Sequence, residues 1–225
     1  MKKIIIASTL LISVLQAKAQ EVNPKNEQWI TSIGVNFGQT GMEHSFLAID
    51  EDRPNNPTTN FFNIELSVKR RITSNSDFFL GVNIDYSKAN YSGTNVDYSW
   101  RNYKEESDYE IINIGPALSL VLKNKSGKVA NYLSIMPSYS FIKYDLFLDG
   151  KNTMQAKANG FGAKFEYAPL FYIRENLSIG PKVGCQRFMF GNFKEEIIIT
   201  DERNFNFEKY NHFQLTFGIL VSLHF

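Results

Sequence analysis

The three histidines of this chain are its best candidates for acid–base chemistry near neutral pH. They are His44, His212 and His224. In the long stretch before His212, an acid that could pair with it is Glu195, Glu196 or Asp201. A histidine held by a carboxylate can act as the general base in hydrolysis of a peptide bond. Acids in such a stretch are usually solvated, so the sequence predicts no catalytic residue.

The composition indicates neither a reactive thiol, nor a metal site, nor a nucleic-acid partner. The single cysteine, Cys185, lies among alternating strand-like residues with no nearby base, which is typical of an inert thiol. One cysteine also provides no disulfide framework. The net charge of +1 over 225 residues indicates no nucleic-acid partner. We predict no metal site and no cofactor.

Residues 1–19 have the composition of a secretory signal peptide. Two lysines precede an apolar core from Ile4 to Leu15, and a small-residue cleavage site ends at Ala19. The core is shorter than the about 20 residues that a membrane-spanning helix needs. We therefore expect cleavage after Ala19 and one domain over residues 20–225.

Apolar and polar residues alternate with a period of two through most of the remaining chain, which is the pattern of β-strands with two different faces. The alternating segments cover residues 29–38, 62–70, 77–87, 111–122, 132–141, 160–171, 177–188 and 212–225. No helical pattern of useful length is found. The sequence therefore predicts an all-β fold with eight strands.

One face of these strands is apolar, whereas the other is rich in Gly, Ser and Asn with a few charges. A soluble sandwich would bury its apolar face between two sheets and carry many charges outside. Small and polar residues instead suit the inside of a narrow barrel whose outside faces lipid. We therefore predict an eight-stranded antiparallel up-and-down transmembrane β-barrel.

The predicted connections alternate between short and long. The short ones lie at residues 73–76, 123–128 and 174–176, and the long ones at 39–60, 87–108, 143–159 and 191–210. Short periplasmic turns and long extracellular loops are typical of bacterial outer-membrane barrels. Some long segments alternate like hairpins that continue the strands, one of them with its turn near residues 201–204. A ten-stranded alternative, in which residues 96–103 cross separately, lacks a clean apolar face.

Four prolines fall inside the predicted strands, where each removes a donor from the hydrogen-bond ladder. They are Pro116, Pro137, Pro169 and Pro181, all on the apolar face. Unpaired backbone groups are costly in hydrocarbon, so we expect bulges or shortened pairing at these positions.

The polar face carries charged residues that a barrel would bury. They are Glu65, Lys69, Asp85, Lys164, Glu166 and Lys182. Buried charges must be paired, and the turn at residues 174–176 brings Glu166 within diagonal reach of Lys182. Eight strands enclose little more than their own side chains. We therefore predict a lumen that is plugged by salt bridges, with a gate as the functional alternative.

Aromatic residues are expected at the two membrane interfaces and in one long loop. The interfacial candidates are Trp29, Tyr86, Tyr139, Tyr167, Phe171, Tyr172 and Phe188. In the segment 87–108, Trp100, Arg101 and Tyr103 are the candidate contacts to a sugar or a protein partner. Ordinary loop packing is the alternative for these three residues.

With its leader, eight alternating strands and a final aromatic residue, the chain resembles the small outer-membrane barrels of the OmpA and OmpX kind. The segments "IGPALSLVL" and "IGPKVG" also resemble the outer-membrane β-barrel domain proteins of the Bacteroidota. The resemblance implies that the barrel-assembly machinery reads the last strand as a signal. The residues that carry this signal are Phe213, Leu215, Phe217, Ile219, Val221, Leu223 and Phe225. Outer-membrane lipids and lipopolysaccharide are the other implied partners.

Enzymes of the same barrel class are an alternative. The lipid A deacylase kind would show a His-x-Ser pair, which neither His44 nor His212 provides. The palmitoyl-transfer kind would show an amphipathic N-terminal helix, but "EVNPKNEQW" is short and contains Pro24.

We expect an integral protein of the cell outer membrane with a structural, surface-interaction or accessory role in a larger envelope complex. The alternatives are a barrel enzyme acting on lipid A or a surface peptide, and a soluble periplasmic binding protein of lipocalin-like shape.

Overall fold

The structure, a computed structural model, describes residues 27–42, 59–73, 76–96, 102–197 and 209–225. These residues form a closed antiparallel barrel in which each strand pairs with its sequence neighbours and the last strand pairs with the first. The strands are β1 (Trp29–Met42), β2 (Thr59–Arg71), β3 (Phe78–Val96), β4 (Asn102–Lys123), β5 (Val129–Leu148), β6 (Lys151–Arg174), β7 (Leu177–Ile197) and β8 (Lys209–His224). The predicted eight-stranded fold is confirmed, and the ten-stranded alternative is wrong. No helix in the described part of the chain is long and apolar enough to cross a membrane.

The barrel closes through its first and last strands. The β1–β8 ladder runs from Ile30 opposite His224 to Met42 opposite His212. At the end of this ladder the Phe225 amide donates to the Trp29 carbonyl at 2.9 Å, and the Phe225 carbonyl accepts the Trp29 amide at 2.9 Å. Closure leaves no open sheet edge along this seam, as a lipid environment requires.

Two of the predicted long loops are strands. The segment 87–108 extends β3 to Val96 and starts β4 at Asn102, and the segment 143–159 is a hairpin. Its turn consists of Asp149 and Gly150, with φ of 50° and 76°, and two-residue hairpins favour positive φ at both turn positions. The predicted loops at these places are wrong, whereas the hairpin continuations are confirmed. The predicted leader at residues 1–19 and the predicted turn at 201–204 lie outside the described residues.

We call the end of the barrel with these extended hairpins the long-strand end, and the opposite end the short-turn end. Two of the short turns, residues 124–128 and 175–176, join β4 to β5 and β6 to β7. They agree with the predicted short connections. The barrel therefore has the predicted asymmetry of its ends, although the long-strand end is built more from sheet than from loops.

Outward-facing side chains form an apolar band around the barrel. Its most exposed large members are Phe37, Phe161, Ile173, Met189 and Phe217, which are 60 to 66 % exposed. Arg187 on β7 also faces outward within this band. Proteins in water rarely expose an apolar surface of this extent.

The prediction of a small and polar lumen is right only for the middle of the barrel. Toward the long-strand end the inside is an apolar cluster of Phe61, Ala89, Tyr109, Ile111, Ile142, Tyr144, Leu146, Met154, Ala156, Ala158, Phe188 and Phe190. Toward the short-turn end it is a second cluster of Ile30, Phe79, Val121, Ala130, Tyr132, Ala168, Leu170 and Leu220, against which Tyr172 packs. Tyr172 and Phe188 are therefore lumen residues, and their predicted interfacial position is wrong. Gly162 leaves room for Phe188, because a Cβ there would lie 2.5 Å from the Phe188 ring.

The four in-strand prolines form two facing pairs. The β4–β5 ladder omits the three rungs between Ile114 and Leu118, and Pro116 faces Pro137 on the middle one. The β6–β7 ladder likewise omits the three rungs between Tyr167 and Phe171, and Pro169 faces Pro181 on the middle one. The predicted shortening of the pairing is confirmed. Because each pair shares one rung, two missing donors interrupt the ladder at one place rather than at two.

Candidate functional site

The predicted lumen charges lie together in the middle of the barrel. Glu65, Lys69, Asp85, Lys164, Glu166 and Lys182 all face inward and are between 1 and 5 % exposed. They come from β2, β3, β6 and β7, and the two-residue period of each strand directs them inside. Their three carboxylates and three ammonium groups balance in charge. We call these six residues the ionic network.

Lys164 and Lys182 link the carboxylates of the ionic network. The Lys164 Nζ lies 2.7 Å from Glu166 Oε1 and also contacts Glu65. The Lys182 Nζ lies 2.8 Å from the same Glu166 oxygen and contacts Glu65 as well. The contact between Glu166 and Lys182 was predicted from the sequence and is confirmed. Each lysine thus bridges β2 and β6, which lie on different sides of the lumen.

Amide side chains satisfy the third carboxylate. Asp85 Oδ1 accepts hydrogen bonds from Asn113 at 2.6 Å and Asn63 at 3.2 Å, and Asp85 Oδ2 accepts one from Asn83 at 3.3 Å. Its Oδ2 also lies 3.7 Å from the Lys164 ammonium. A buried charge needs such saturation, because low dielectric makes an unpaired charge expensive.

The remaining lysine joins the ionic network to the apolar cluster at the short-turn end. Lys69 donates a hydrogen bond to the Tyr132 hydroxyl, and Tyr132 belongs to that cluster. The ionic network therefore lies between two apolar clusters of the lumen. This arrangement closes the barrel interior with side chains, as the sequence predicted.

A second polar cluster at the short-turn end has Glu27 at its centre. Glu27 precedes β1 and is fully buried. Its Oε1 lies 2.6 Å from Lys123 Nζ and accepts a hydrogen bond from the Tyr172 hydroxyl at 3.3 Å. Its Oε2 lies 3.3 Å from His224 Nδ1. We call Glu27, Lys123, Tyr172 and His224 the basal cluster. It ties the residue before the first strand to β4, β6 and β8.

Together with Ser178, His224 and Glu27 of the basal cluster are connected in the same order as the catalytic triad of a serine hydrolase. The Ser178 Oγ lies 2.8 Å from His224 Nε2, while the other ring nitrogen of His224 faces Glu27. A hydrolytic triad has this order of nucleophile, base and acid. All three side chains are fully buried, so no substrate carbonyl has access to the Ser178 oxygen. We interpret the arrangement as a structural hydrogen-bond chain.

The sequence analysis missed Glu27 and Ser178 as partners of His224. Ser178 was visible only as one of several small inward residues of its strand. Glu27 lies in a stretch without periodicity, so no pattern indicated that it would be buried. The one available signal was its position two residues before the first alternating segment.

The basal cluster makes the unfolding free energy of the barrel depend on pH in the acidic range. Burial by itself raises the pKa of the Glu27 carboxyl, but the contacts with His224 and Lys123 outweigh it and hold the pKa below its usual value of 4.5. Such a carboxylate stabilises the fold above its unfolded-state pKa, and this contribution is lost as the pH falls through the folded-state pKa. We expect Glu27→Gln to lower the unfolding free energy by about 1–3 kcal/mol at pH 7.

This deficit of Glu27→Gln should begin to shrink below about pH 4.5, where the unfolded carboxyl takes up a proton, and should vanish as the pH falls through the lower folded-state pKa of Glu27. Urea unfolding at pH 7 and pH 3 measures both values. Glu175→Gln is the matched control, because Glu175 is exposed in a turn at the same end. A pH-independent deficit would show that the charge of Glu27 contributes nothing.

The other predicted residues are placed as follows. His212 is buried in the lumen, where its ring packs 5.9 Å from the Phe188 ring and its Nε2 lies 3.0 Å from Gln214 Nε2. Trp100 and Arg101 lie outside the described residues. Tyr103 belongs to β4, so its predicted loop position is wrong. The alternating residues of the last strand from Phe213 to Val221 face outward.

No protein-family model matches the chain, and the comparison with curated proteins finds no match. Among solved structures, the chain is similar to Neisserial surface protein A, with 14% identity, a TM-score of 0.46, and coverage of 85% of this chain and 96% of that one. It is also similar to the outer membrane protein OprG from Pseudomonas aeruginosa, with 10% identity, a TM-score of 0.47, and coverage of 91% and 99%. A third similar structure is the outer membrane protease OmpT from Escherichia coli, with 8% identity, a TM-score of 0.46, and coverage of 92% and 99%.

Proposed function

We propose that this protein is an integral outer-membrane β-barrel with a structural, surface-interaction or accessory role in an envelope complex. The observation that carries the proposal is the inverted distribution of polarity, with exposed apolar residues outside and buried charges inside. Each Å² of apolar surface left in water forgoes about 25 cal/mol. In lipid the same surface is solvated by acyl chains, so the inversion becomes favourable.

Delivery and insertion follow from the same proposal. The leader at residues 1–19 directs the chain across the inner membrane, and the barrel-assembly machinery recognises the last strand. The long-strand end then faces the cell surface, where it meets lipopolysaccharide. The closed strand order supports this route, because β8 completes the barrel only when it pairs with β1.

The plugged lumen favours an interaction role over transport. Apolar clusters flank the ionic network at both ends, so the described interior offers no continuous polar path. The long-strand end instead presents an extended sheet. Its inward residues, such as Tyr144 and Leu146, are packed, whereas Glu106 and Asp108 on β4 are partly exposed. A packed, charged sheet beyond the apolar band suits contact with another envelope protein.

Folding into membranes tests the proposal. We expect the mature chain, diluted from urea, to fold only with detergent or phospholipid vesicles and to float with the vesicles in a density gradient. The unboiled protein should then migrate as a compact, heat-modifiable band. Planar-bilayer recordings should show no steady conductance, because side chains fill the barrel.

Three outcomes would contradict parts of this proposal. A monomer that folds in plain buffer would support the soluble lipocalin-like alternative, because the fold would then be stable without lipid around its apolar band. A steady conductance would contradict the plugged lumen but not the membrane location. Fluorophosphonate labelling that is lost in Ser178→Ala would instead support an enzyme.

A further inference from the structure

Four charged side chains on the outer face of the long-strand end stand in two pairs of like charge. Asp108 on β4 is opposite Asp145 on β5, and Lys143 on β5 is opposite Lys157 on β6. All four point outward, because their neighbours along each strand are buried. Like charges that face each other across strands destabilise a sheet. We call Asp108, Lys143, Asp145 and Lys157 the charged patch.

The middle strand of the charged patch is neutral, and its β4 flank is negative. On β5 the Lys143 ammonium lies 2.6 Å from the Asp145 carboxylate, so these two charges cancel. The Asp108 carboxylate lies 4.0 Å from the Lys88 ammonium, which is closer to Glu110 at 3.5 Å. Asp108 is therefore the weakly paired acid of the patch.

The β6 flank of the charged patch is positive. Lys157 is exposed and makes no ion pair within the part of the chain that the structure describes. The next described outward residues on its strand are Asn159 and Gln155, which carry no charge. The patch thus changes from negative on β4, through neutral on β5, to positive on β6.

The two flanks lie at the same height along the barrel axis. A rung that leaves β1 at Trp29 and follows the paired residues once around the barrel returns to β1 at Gln39, ten residues nearer the long-strand end. A rung therefore climbs by a little more than one residue at each strand. The rung through Asp108 meets β6 at Gln155. The position on β6 that is level with Asp108 is about two to three residues nearer the apolar band, which is the place of Lys157.

We propose that the charged patch is the contact surface between two copies of this protein, related by a two-fold axis that runs along the membrane normal past β5. This inference rests on the proposed membrane function, because a two-fold axis between barrels inserted in the same direction must follow the membrane normal. Rotation about this axis keeps every residue at its height. Asp108 of each copy therefore faces Lys157 of the other, which is the self-complementary pattern of an isologous dimer.

Charge complementarity favours a second copy over other partners. A partner with one sign of charge would attract one flank of the charged patch and repel the other. A second copy instead offers Asp108 and Lys157 the opposite charge that Asp145 and Lys143 do not provide. A single exposed ion pair contributes little in water. Insertion, however, holds both barrels upright in one plane, and the resulting effective concentration strengthens weak contacts.

Energy transfer between donor-labelled and acceptor-labelled copies in phospholipid vesicles tests this proposal. The labels are attached to Ser126→Cys in a Cys185→Ser background, because Ser126 is exposed in a turn at the short-turn end. With the native charges we expect energy transfer that unlabelled protein competes away. Asp108→Lys and Lys157→Glu should each weaken the dimer by roughly tenfold, because each variant replaces two attractive contacts by two repulsive ones.

A mixture of the two variants distinguishes a contact between copies from a change within one copy. Each variant repels itself, but Asp108→Lys together with Lys157→Glu restores two attractive pairs. Donor on one variant and acceptor on the other should therefore regain the energy transfer. Lys151→Glu is the matched control, because Lys151 is also exposed on β6 at the long-strand end, and it should dimerise like wild type. Single variants that dimerise normally, or a mixture that does not recover, would overturn the proposal.

Heat-modifiable gel mobility of the same samples separates a failure of the dimer from a failure of the membrane function. If wild type folds only with lipid but shows no energy transfer, the dimer is wrong and the membrane function stands. If wild type folds in plain buffer, the membrane function is wrong, and the two-fold axis along the membrane normal is wrong with it.

Discussion

Replacing Lys164 by methionine is expected to lower the unfolding free energy by about 3–5 kcal/mol, which is the usual effect of removing one partner from a buried ion pair. Lys164 contacts Glu65, Asp85 and Glu166 and is 1 % exposed. Methionine keeps most of the volume and removes the charge, so three buried carboxylates would be left with two lysines. Urea unfolding in vesicles, followed by heat-modifiable gel mobility, measures the loss.

Two further variants separate charge from packing at Lys164. Lys157→Met changes an exposed lysine of the same strand and should stay within about 0.5 kcal/mol of wild type. Adding Glu65→Gln to Lys164→Met restores the charge balance of the ionic network and should recover part of the stability. A Lys164→Met barrel as stable as wild type would show that water or protonation already neutralises these carboxylates.

The barrel was predictable because a strand with one apolar face has an apolar residue at every second position. The outward series Phe78, Leu80, Val82 and Ile84 on β3 is exposed, while Gly81, Asn83 and Asp85 between them face the lumen. The contact of Glu166 with Lys182 was predictable for the same reason, because a short turn fixes the register of the two strands that it joins. These features depend on local pattern, which one sequence contains in full.

The length of the strands was underestimated because the apolar residues change sides where β4 and β5 pass the apolar band. Phe141 faces outward and is exposed, but Ile142, Tyr144 and Leu146 face inward and are buried. On β4 the same change separates the outward Ile112 from the inward Ile111 and Tyr109. Beyond the apolar band the outward residues of β4 and β5 are polar, so the sequence of these segments resembles that of loops. The change of side is itself a sequence signal, and it marks where the outer surface passes from apolar to polar.

The basal cluster was not predictable because its contacts join distant parts of the chain. Glu27 meets Lys123, Tyr172 and His224, which lie on three different strands. Only the closed barrel brings these positions to one end. Such contacts depend on the tilt and stagger of all eight strands together, and single-strand patterns do not specify either quantity.

Replacing Val82 by arginine is expected to lower the unfolding free energy in phospholipid vesicles by about 2–4 kcal/mol. Val82 is the middle member of the outward run from Phe78 to Tyr86 on β3 and is 50 % exposed. An arginine there would place its guanidinium near the centre of the hydrocarbon layer, where only snorkelling or thinning of the bilayer relieves its desolvation. Urea titrations of the vesicle-inserted protein measure the effect.

This substitution separates a lipid-facing surface from a water-facing one. In a soluble protein, arginine at a half-exposed position changes stability by only about 0.5 kcal/mol. Gln39→Arg is the matched control, because Gln39 faces outward on β1 two residues beyond Phe37, at the edge of the apolar band. It should be near neutral in the same vesicles, since the penalty for arginine falls to about 0–1 kcal/mol near the interface. Equal, small effects of both variants would mean that the band does not contact hydrocarbon.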